Sequence, residues 1–171
     1  MLFMHGGLIA STGPGFTPRE LSRQDVVELY KVRRFLEPAA LASTVEHLRA
    51  HDLRMLRHAL LEQETADAAQ DAEAFATANA NFRAVWLAAV PNSQLRALID
   101  QHADHVQWMR QITLHEPKIR KKVIVGLRNI LAALNCANAA AAATAMATHL
   151  YAAEAALTAV LEQTDSDRTA A

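Results

Sequence analysis

The segment Glu28-Leu-Tyr-Lys-Val-Arg-Arg-Phe-Leu-Glu-Pro-Ala-Ala40 decides the fold, because it joins a helical apolar stripe to two features that packing alone seldom produces. Its apolar residues recur every three or four positions, which is typical of one face of an α-helix. Arg33 lies on that same face, and Pro38 interrupts the helix interior. An unadapted internal proline costs roughly 3 kcal/mol, so a bend should accommodate it. The segment therefore predicts a bent helix whose inner face carries a cation.

The rest of the chain predicts five more helices, each with an apolar stripe and a start signal. Residues that cap a helix accept hydrogen bonds from its first free backbone N–H groups, and proline is favoured at the first helical position. In chain order, the start signals are Ser22 with Asp25, then Asp52, Asp71, Asn92, Pro117 and Asn138. Short connections between such helices favour antiparallel packing. The sequence thus predicts an all-α protein, an antiparallel six-helix bundle.

Composition agrees with one helical domain and excludes several functional classes. Of the 171 residues, 51% are hydrophobic and only 5% aromatic, which favours alanine- and leucine-rich helices over a β-sheet. A net charge of −1 gives no general attraction to nucleic acid. The chain has a single cysteine, an N-terminus that is a poor match to a signal peptide, and no long apolar run. These features predict a soluble, cytoplasmic protein. Motifs of di-iron, zinc protease, serine hydrolase and phosphate-binding sites are missing, so we expect no catalysis.

Four segments resemble the FCD sensor domain of GntR-type bacterial transcription regulators. They are Glu28 to Ala40, Asn79-Ala-Asn-Phe-Arg83, Gly126-Leu-Arg-Asn-Ile-Leu-Ala-Ala-Leu134 and Ala145-Met-Ala-Thr-His-Leu150, and their order and spacing both agree. The resemblance implies that residues 21–162 form an effector-binding and dimerisation domain. It also implies a homodimer in which a bound metabolite changes how two DNA-binding domains reach an operator.

The two ends of the chain are predicted to differ from this domain. Glycine and proline dominate residues 1–20, which indicates turns and one hairpin. Gly7-Leu-Ile-Ala-Ser-Thr-Gly-Pro-Gly-Phe16 resembles the wing of a winged-helix domain, so residues 1–20 are interpreted as a remnant of such a wing and its linker. A truncated gene, a misplaced start or a shortened fragment would explain it, and an unrelated glycine-rich tail is the alternative. Residues 163–171 predict a disordered polar tail.

The metal-binding set of the family is largely replaced in this sequence. Many FCD domains hold a divalent metal with one Asp and three His, and the matching positions are Asn79, Arg83, Leu127 and His149. Only the last is a good ligand, so we expect no metal and no other cofactor. The predicted ligand-binding set is instead Arg33, Asn79, Arg83, Arg110 and His149. Guanidinium groups can receive a carboxylate with two parallel hydrogen bonds, which predicts a small carboxylate metabolite as the ligand.

Simpler interpretations exist for these residues and their neighbours. Arg83 could point to solvent, Asn79 could satisfy a hydrogen bond in the core, and Leu127 could fill the pocket. Glu37 is predicted to form ordinary helical ion pairs with the arginines that precede it.

The remaining predictions concern a histidine pair, a basic cluster and an alternative function. The pair His102 and His105 is more simply two core or surface histidines than a metal site, and Lys118-Ile-Arg-Lys-Lys122 is more simply a solvated face than a DNA contact. The alternative function is a truncated dimerising partner that binds neither DNA nor ligand.

Overall fold

The computed structural model describes residues 9–11, 16–18 and 22–170. Two short strands, β1 (Ile9–Ser11) and β2 (Phe16–Pro18), pair antiparallel with Ser11 opposite Phe16. This pairing confirms the predicted hairpin. Residues 1–8, 12–15 and 19–21 lie outside the described residues, and the interpretation of residues 1–20 as a wing remains a prediction.

Seven helices follow the hairpin in the described part of the chain. They are α1 (Arg23–Thr44), α2 (Ala50–Ala68), α3 (Ala72–Ala88), α4 (Ser93–Asp100), α5 (Ala103–Thr113), α6 (Pro117–Asn135) and α7 (Ala139–Ala170). The most extensive contact between two helices joins α1 to α7, and the next joins α2 to α3. Helix α6 connects these two pairs, because it packs on both α7 and α2. One continuous apolar core runs between these helices. The predicted all-α bundle is confirmed.

Most helix starts lie where the capping residues predicted them. Ser22 and Asp25 form the capping box of α1, and the side-chain oxygens of Asp71, Asn92 and Asn138 accept hydrogen bonds from the first turns of α3, α4 and α7. The predicted start of α2 is wrong by three residues. Helix α2 begins at Ala50, and the carboxylate of Asp52 in its first turn accepts a hydrogen bond from the backbone N–H of the N-cap residue Arg49 at 2.8 Å.

The predicted fourth helix is two helices, because the chain turns at Gln101 and His102. Neither glycine nor proline marks this break, and apolar spacing continues through it. The break lets α4 pack against α1 while α5 packs against α7 and α3. Tertiary packing therefore overrides a locally continuous helical pattern, and it brings the face of α5 that carries Met109 and Arg110 over the centre of the bundle.

The last helix continues through residues 163–170, for which the sequence predicted a disordered tail. Neither glycine nor proline, the residues that most often end a helix, occurs between Ala139 and Ala170. The hydroxyl groups of Thr164 and Ser166 donate to carbonyls one turn earlier, and Glu162 pairs with Arg23 at the start of α1. Across the described residues, no helix combines the length and the apolar character needed to span a bilayer.

Arg120 is fully buried, although the sequence placed it in a solvated basic face. Its Nε donates to Asp67 at 2.7 Å, and its Nη atoms donate to Gln70 at 2.9 Å and to two backbone carbonyls at 3.1 Å. Gln70 has a positive φ of 56°, which turns the chain after α2 towards this arginine. The guanidinium thereby joins the end of α2 to the turn between α5 and α6.

We expect Arg120→Met to lower the free energy of unfolding by about 3–5 kcal/mol, because it leaves the buried carboxylate of Asp67 without its cation. Urea denaturation followed by circular dichroism measures the effect. Lys121→Met is the matched control, since Lys121 is exposed and its replacement should change stability by no more than about 0.5 kcal/mol. Equal losses in the two variants would contradict a structural role for Arg120.

Candidate functional site

A cavity of about 80 Å³ lies inside the bundle, where α1, α3, α5, α6 and α7 meet. All five residues of the predicted ligand-binding set line it: Arg33, Asn79, Arg83, Arg110 and His149. Its remaining polar lining consists of Tyr30, Glu37 and Thr113, and apolar side chains form the rest. Pockets for drug-sized ligands measure roughly 300–1,000 Å³, so this cavity suits a molecule of only a few carbon atoms.

Glu37 forms a buried ion cluster with two arginines from different helices. Its carboxylate accepts from Arg33 Nε at 2.8 Å and from Arg83 Nη1 at 3.0 Å, and only 2% of its side chain is exposed. Burial alone would raise the pKa of Glu37, but the two guanidinium groups outweigh it and hold the pKa at about 2. Glu37 is therefore a carboxylate at neutral pH. The predicted helical ion pair of Glu37 with Arg33 is present, although it is buried and shared with Arg83. The predicted pair with Arg34 is wrong, because Arg34 pairs with Glu154 on α7.

Arg83 points into the bundle, not to solvent. Only 12% of its side chain is exposed, and its guanidinium lies 5.6 Å from the ring centroid of Trp86. Its Nη2 is buried and has no hydrogen-bond partner among the described residues. Burial lowers the pKa of Arg83 despite the nearby carboxylate of Glu37. A buried guanidinium with an unsatisfied donor is a ready binding group for an anion.

Two amide side chains orient the third arginine of the cavity. Gln63, fully buried on α2, donates from its Nε2 to the backbone carbonyl of Ala59 and accepts from Asn79 Nδ2 at 3.1 Å. Asn79 then presents its carbonyl oxygen to Arg110 Nε at 2.7 Å. Burial, together with the positive charges of Arg83 and Arg33, lowers the pKa of Arg110 to about 9. Arg110 is still charged at pH 7, and it lacks a carboxylate partner among the described residues.

His149 lies against α6 because Gly126 has no side chain there. A Cβ on Gly126 would be 2.4 Å from His149 Nδ1, a distance that forces one of the two helices or the ring to move. Burial, followed by the positive charge of Arg33, lowers the pKa of His149 to about 4. The ring is thus neutral at pH 7 and offers the cavity one hydrogen-bond donor and one acceptor.

The residues at the family's metal position do not fit a divalent ion. Arg83 is a cation without a lone pair for a metal, and the carbonyl of Asn79 already accepts from Arg110. Leu127 is 4% exposed and belongs to the apolar core beside the cavity. His149 is the only metal-ligand type left, and no group of three potential metal ligands occurs among the described residues.

The histidine pair noted in the sequence lies at the break between α4 and α5. The ring centroids of His102 and His105 are 6.0 Å apart, and burial lowers the pKa of both. Both ring nitrogens of His105 are buried without a hydrogen-bond partner among the described residues. The sequence predicted two core or surface histidines, and both are partly buried.

Sequence reasoning missed two residues that organise the cavity. For Glu37 the sequence predicted only helical ion pairs and no place in the cavity, although its i,i+4 spacing from Arg33 was the available signal that it shares the inner face. Gln63 gave no such signal, because its partner on α3 is defined only by the packing of α2 against α3. Both residues act on the arginines that the sequence had identified.

We expect Gly126→Ala to destabilise the protein by about 1–3 kcal/mol, as overpacking does, because the new methyl group meets His149. The same change in a His149→Ala background should instead stabilise by about 0.5–1 kcal/mol, since alanine is the better helix former and the obstacle is gone. Thermal and urea unfolding of the four proteins in this double-mutant cycle measure the coupling. If Gly126→Ala changed stability in the same direction in both backgrounds, the close approach of Gly126 to His149 would be contradicted.

Comparisons with known proteins agree with this fold. The family model described as "FCD domain" matches residues 28–152, which is more than half of the chain. Escherichia coli McbR/YncC is similar in structure, with a TM-score of 0.73 and 23% identity over 86% of this chain and 75% of that chain. Streptococcus agalactiae GntR is similar with a TM-score of 0.62 and 17% identity over 86% and 74% of the two chains. No curated protein matches the sequence. The chain belongs to the FCD domain family of GntR-type regulators.

Proposed function

We propose that the chain is the sensor of a GntR-type transcription regulator and that its cavity binds a small organic acid without a metal. The observation that carries this proposal is a pair of partly buried arginines in one small cavity: Arg83 has a buried Nη2 without a hydrogen-bond partner among the described residues, and Arg110 bonds the neutral amide of Asn79 instead of a carboxylate. Buried cations are normally paired, so their presence here provides a binding energy for an incoming carboxylate. Asn79 and the neutral His149 supply further hydrogen bonds that fix its orientation.

Ligand binding changes the regulator because the cavity residues come from four helices. Arg33 belongs to α1, Asn79 and Arg83 to α3, Arg110 to α5 and His149 to α7. An acid that bridges them favours one arrangement of these helices over others, and this difference in affinity is the source of regulation. In the complete regulator, the effect is a change in how a homodimer presents two winged-helix domains to operator DNA.

We expect Arg110→Gln to weaken binding of the best ligand from a panel of two- to six-carbon organic acids by tenfold or more. A hydrogen bond to a charged group contributes about 1.5–3 kcal/mol, and each 1.4 kcal/mol is about tenfold in affinity. The variant should also melt at the same or a higher temperature without ligand, since it removes a desolvated cation. Isothermal titration and thermal shift give both readouts.

Two controls sharpen this experiment. Arg54→Gln changes an exposed arginine on α2 outside the cavity and should leave acid binding unaltered. Treatment of the wild-type protein with EDTA should also leave the affinity unaltered, because no step of the proposed recognition uses a metal. The absence of heat and of any thermal shift for every acid would disprove ligand sensing by this cavity.

The proposed homodimer uses the outer face of α1 and the adjoining α4. Phe35 is 81% exposed and Val32 39% exposed on α1, while Leu98 is 46% exposed on α4, which packs against α1. Clustered exposed apolar side chains mark surfaces that associate with a partner. The same surface would support the alternative function, in which this chain pairs with longer subunits and withholds them from DNA.

We expect Phe35→Asp to shift the protein from dimer to monomer in analytical ultracentrifugation, because a charge at the centre of an apolar interface opposes association. Leu61→Asp is the matched control. Leu61 is a large apolar residue, 60% exposed on α2, and its replacement should leave the sedimentation coefficient unchanged. Dimers that persist in both variants at equal concentration would place the interface elsewhere.

A further inference from the structure

The charges that line the cavity do not balance. Three guanidinium groups, those of Arg33, Arg83 and Arg110, share the cavity with one carboxylate, that of Glu37. His149 is neutral at pH 7, and burial raises the pKa of Tyr30, so neither changes the balance. The ligand-free cavity therefore carries a surplus of two positive charges.

Nearby carboxylates do not remove this surplus. Glu154 forms an ion pair with Arg34. Asp100 favours the charged form of Arg83, but it is exposed to solvent on α4 and does not line the cavity. The guanidinium groups of Arg110 and Arg83 are each desolvated and face other cations. Both effects lower the pKa of each arginine. Among the described residues, nothing inside the cavity completes the pairing of these two arginines.

Glu37 already occupies the position that one ligand carboxylate would take. It accepts hydrogen bonds from Arg33 Nε and Nη2, at 2.8 and 3.4 Å, and it pairs with Arg83 Nη1 at 3.0 Å. The donors left for a ligand are the unpartnered Nη2 of Arg83 and the Nη groups of Arg110. The carboxylate of Glu37 thus neutralises one of the three positive charges in the cavity, and two remain.

We propose that the cavity selects a small dianion, such as a dicarboxylate of three to five carbons, and that Glu37 sets this charge preference. The inference rests on the proposed function and narrows its ligand class. A dianion neutralises the two surplus charges, whereas a monoanion leaves one buried cation unpaired and a trianion buries an excess negative charge. The volume of about 80 Å³ restricts the ligand to a few carbon atoms.

A set of probes with nearly the same shape and different charges tests the preference on the full chain. Succinate, succinamate and succinamide carry two, one and no negative charges at pH 7.5, and isothermal titration at low salt compares their affinities. Succinate should bind at least tenfold more tightly than succinamate, and succinamide should not bind. Malonate and glutarate examine the chain length, and inorganic phosphate shows whether two charges on one centre are sufficient.

Glu37→Gln tests the role of the internal carboxylate. This variant keeps the size of the side chain and raises the surplus to three positive charges, so succinate should bind about tenfold more tightly than to the wild type. Glu154→Gln is the control, because it removes a carboxylate from another interhelical ion pair outside the cavity lining.

The outcomes separate this inference from the proposed function. Equal binding of succinate and succinamate by the wild-type protein would overturn the charge preference while acid sensing stands. Unchanged succinate affinity in a folded Glu37→Gln variant would overturn the role of Glu37. If this variant does not fold, the wild-type charge series still decides the preference, and binding of no acid at all would reject the proposed function itself.

Discussion

Glu37 holds two arginines inside the bundle, and the burial of these three charges constrains everything around them. Removing a charged group from water costs several kcal/mol, so each must find partners in the protein. Glu37 satisfies Arg33 on its own helix and one edge of Arg83 on α3, and this ties α1 to α3 across the cavity. Its single negative charge cannot satisfy Arg110 as well. The pairing within the cavity is therefore incomplete in the ligand-free protein.

The buried arginines of this protein fall into two groups according to how fully their donors are used. Arg120 is bonded to a carboxylate, an amide and two backbone carbonyls, and only 1% of it is exposed. Arg83 retains an unpartnered nitrogen and faces a cavity. Full satisfaction stabilises the fold, whereas partial satisfaction lowers stability and leaves binding energy for a guest. Satisfaction of the donors, rather than burial, distinguishes a structural arginine from a binding one.

Local patterns predicted the features that depend on near neighbours in the chain. The capping residues located the starts of α1, α3, α4 and α7, and the apolar stripe around Arg33 showed that a cation faces inward. Features defined by packing between distant segments escaped prediction. The break at His102 has no sequence signal, and the burial of Arg120 depends on Asp67, which lies 53 positions earlier. Asn79, Arg83 and His149 were identified through a resemblance in their positions, whereas the pairing of Glu37 with Arg83 and of Gln63 with Asn79 required the arrangement of helices.

Helix α1 places the cavity and the proposed dimer surface on opposite sides of one rigid element. Arg33 and Glu37 point into the bundle, while Val32 and Phe35, on neighbouring turns, are exposed. Under the proposed function, an acid that binds the unpartnered Nη2 of Arg83 would place a second negative charge beside Glu37 and so alter the electrostatic tie between α1 and α3. Because α1 also packs along α7 and carries the exposed apolar residues, a shift in its position changes the surface offered to a second subunit. Under the proposed function, the ion cluster would provide a physical connection between the charge of a small acid and the geometry of the proposed dimer.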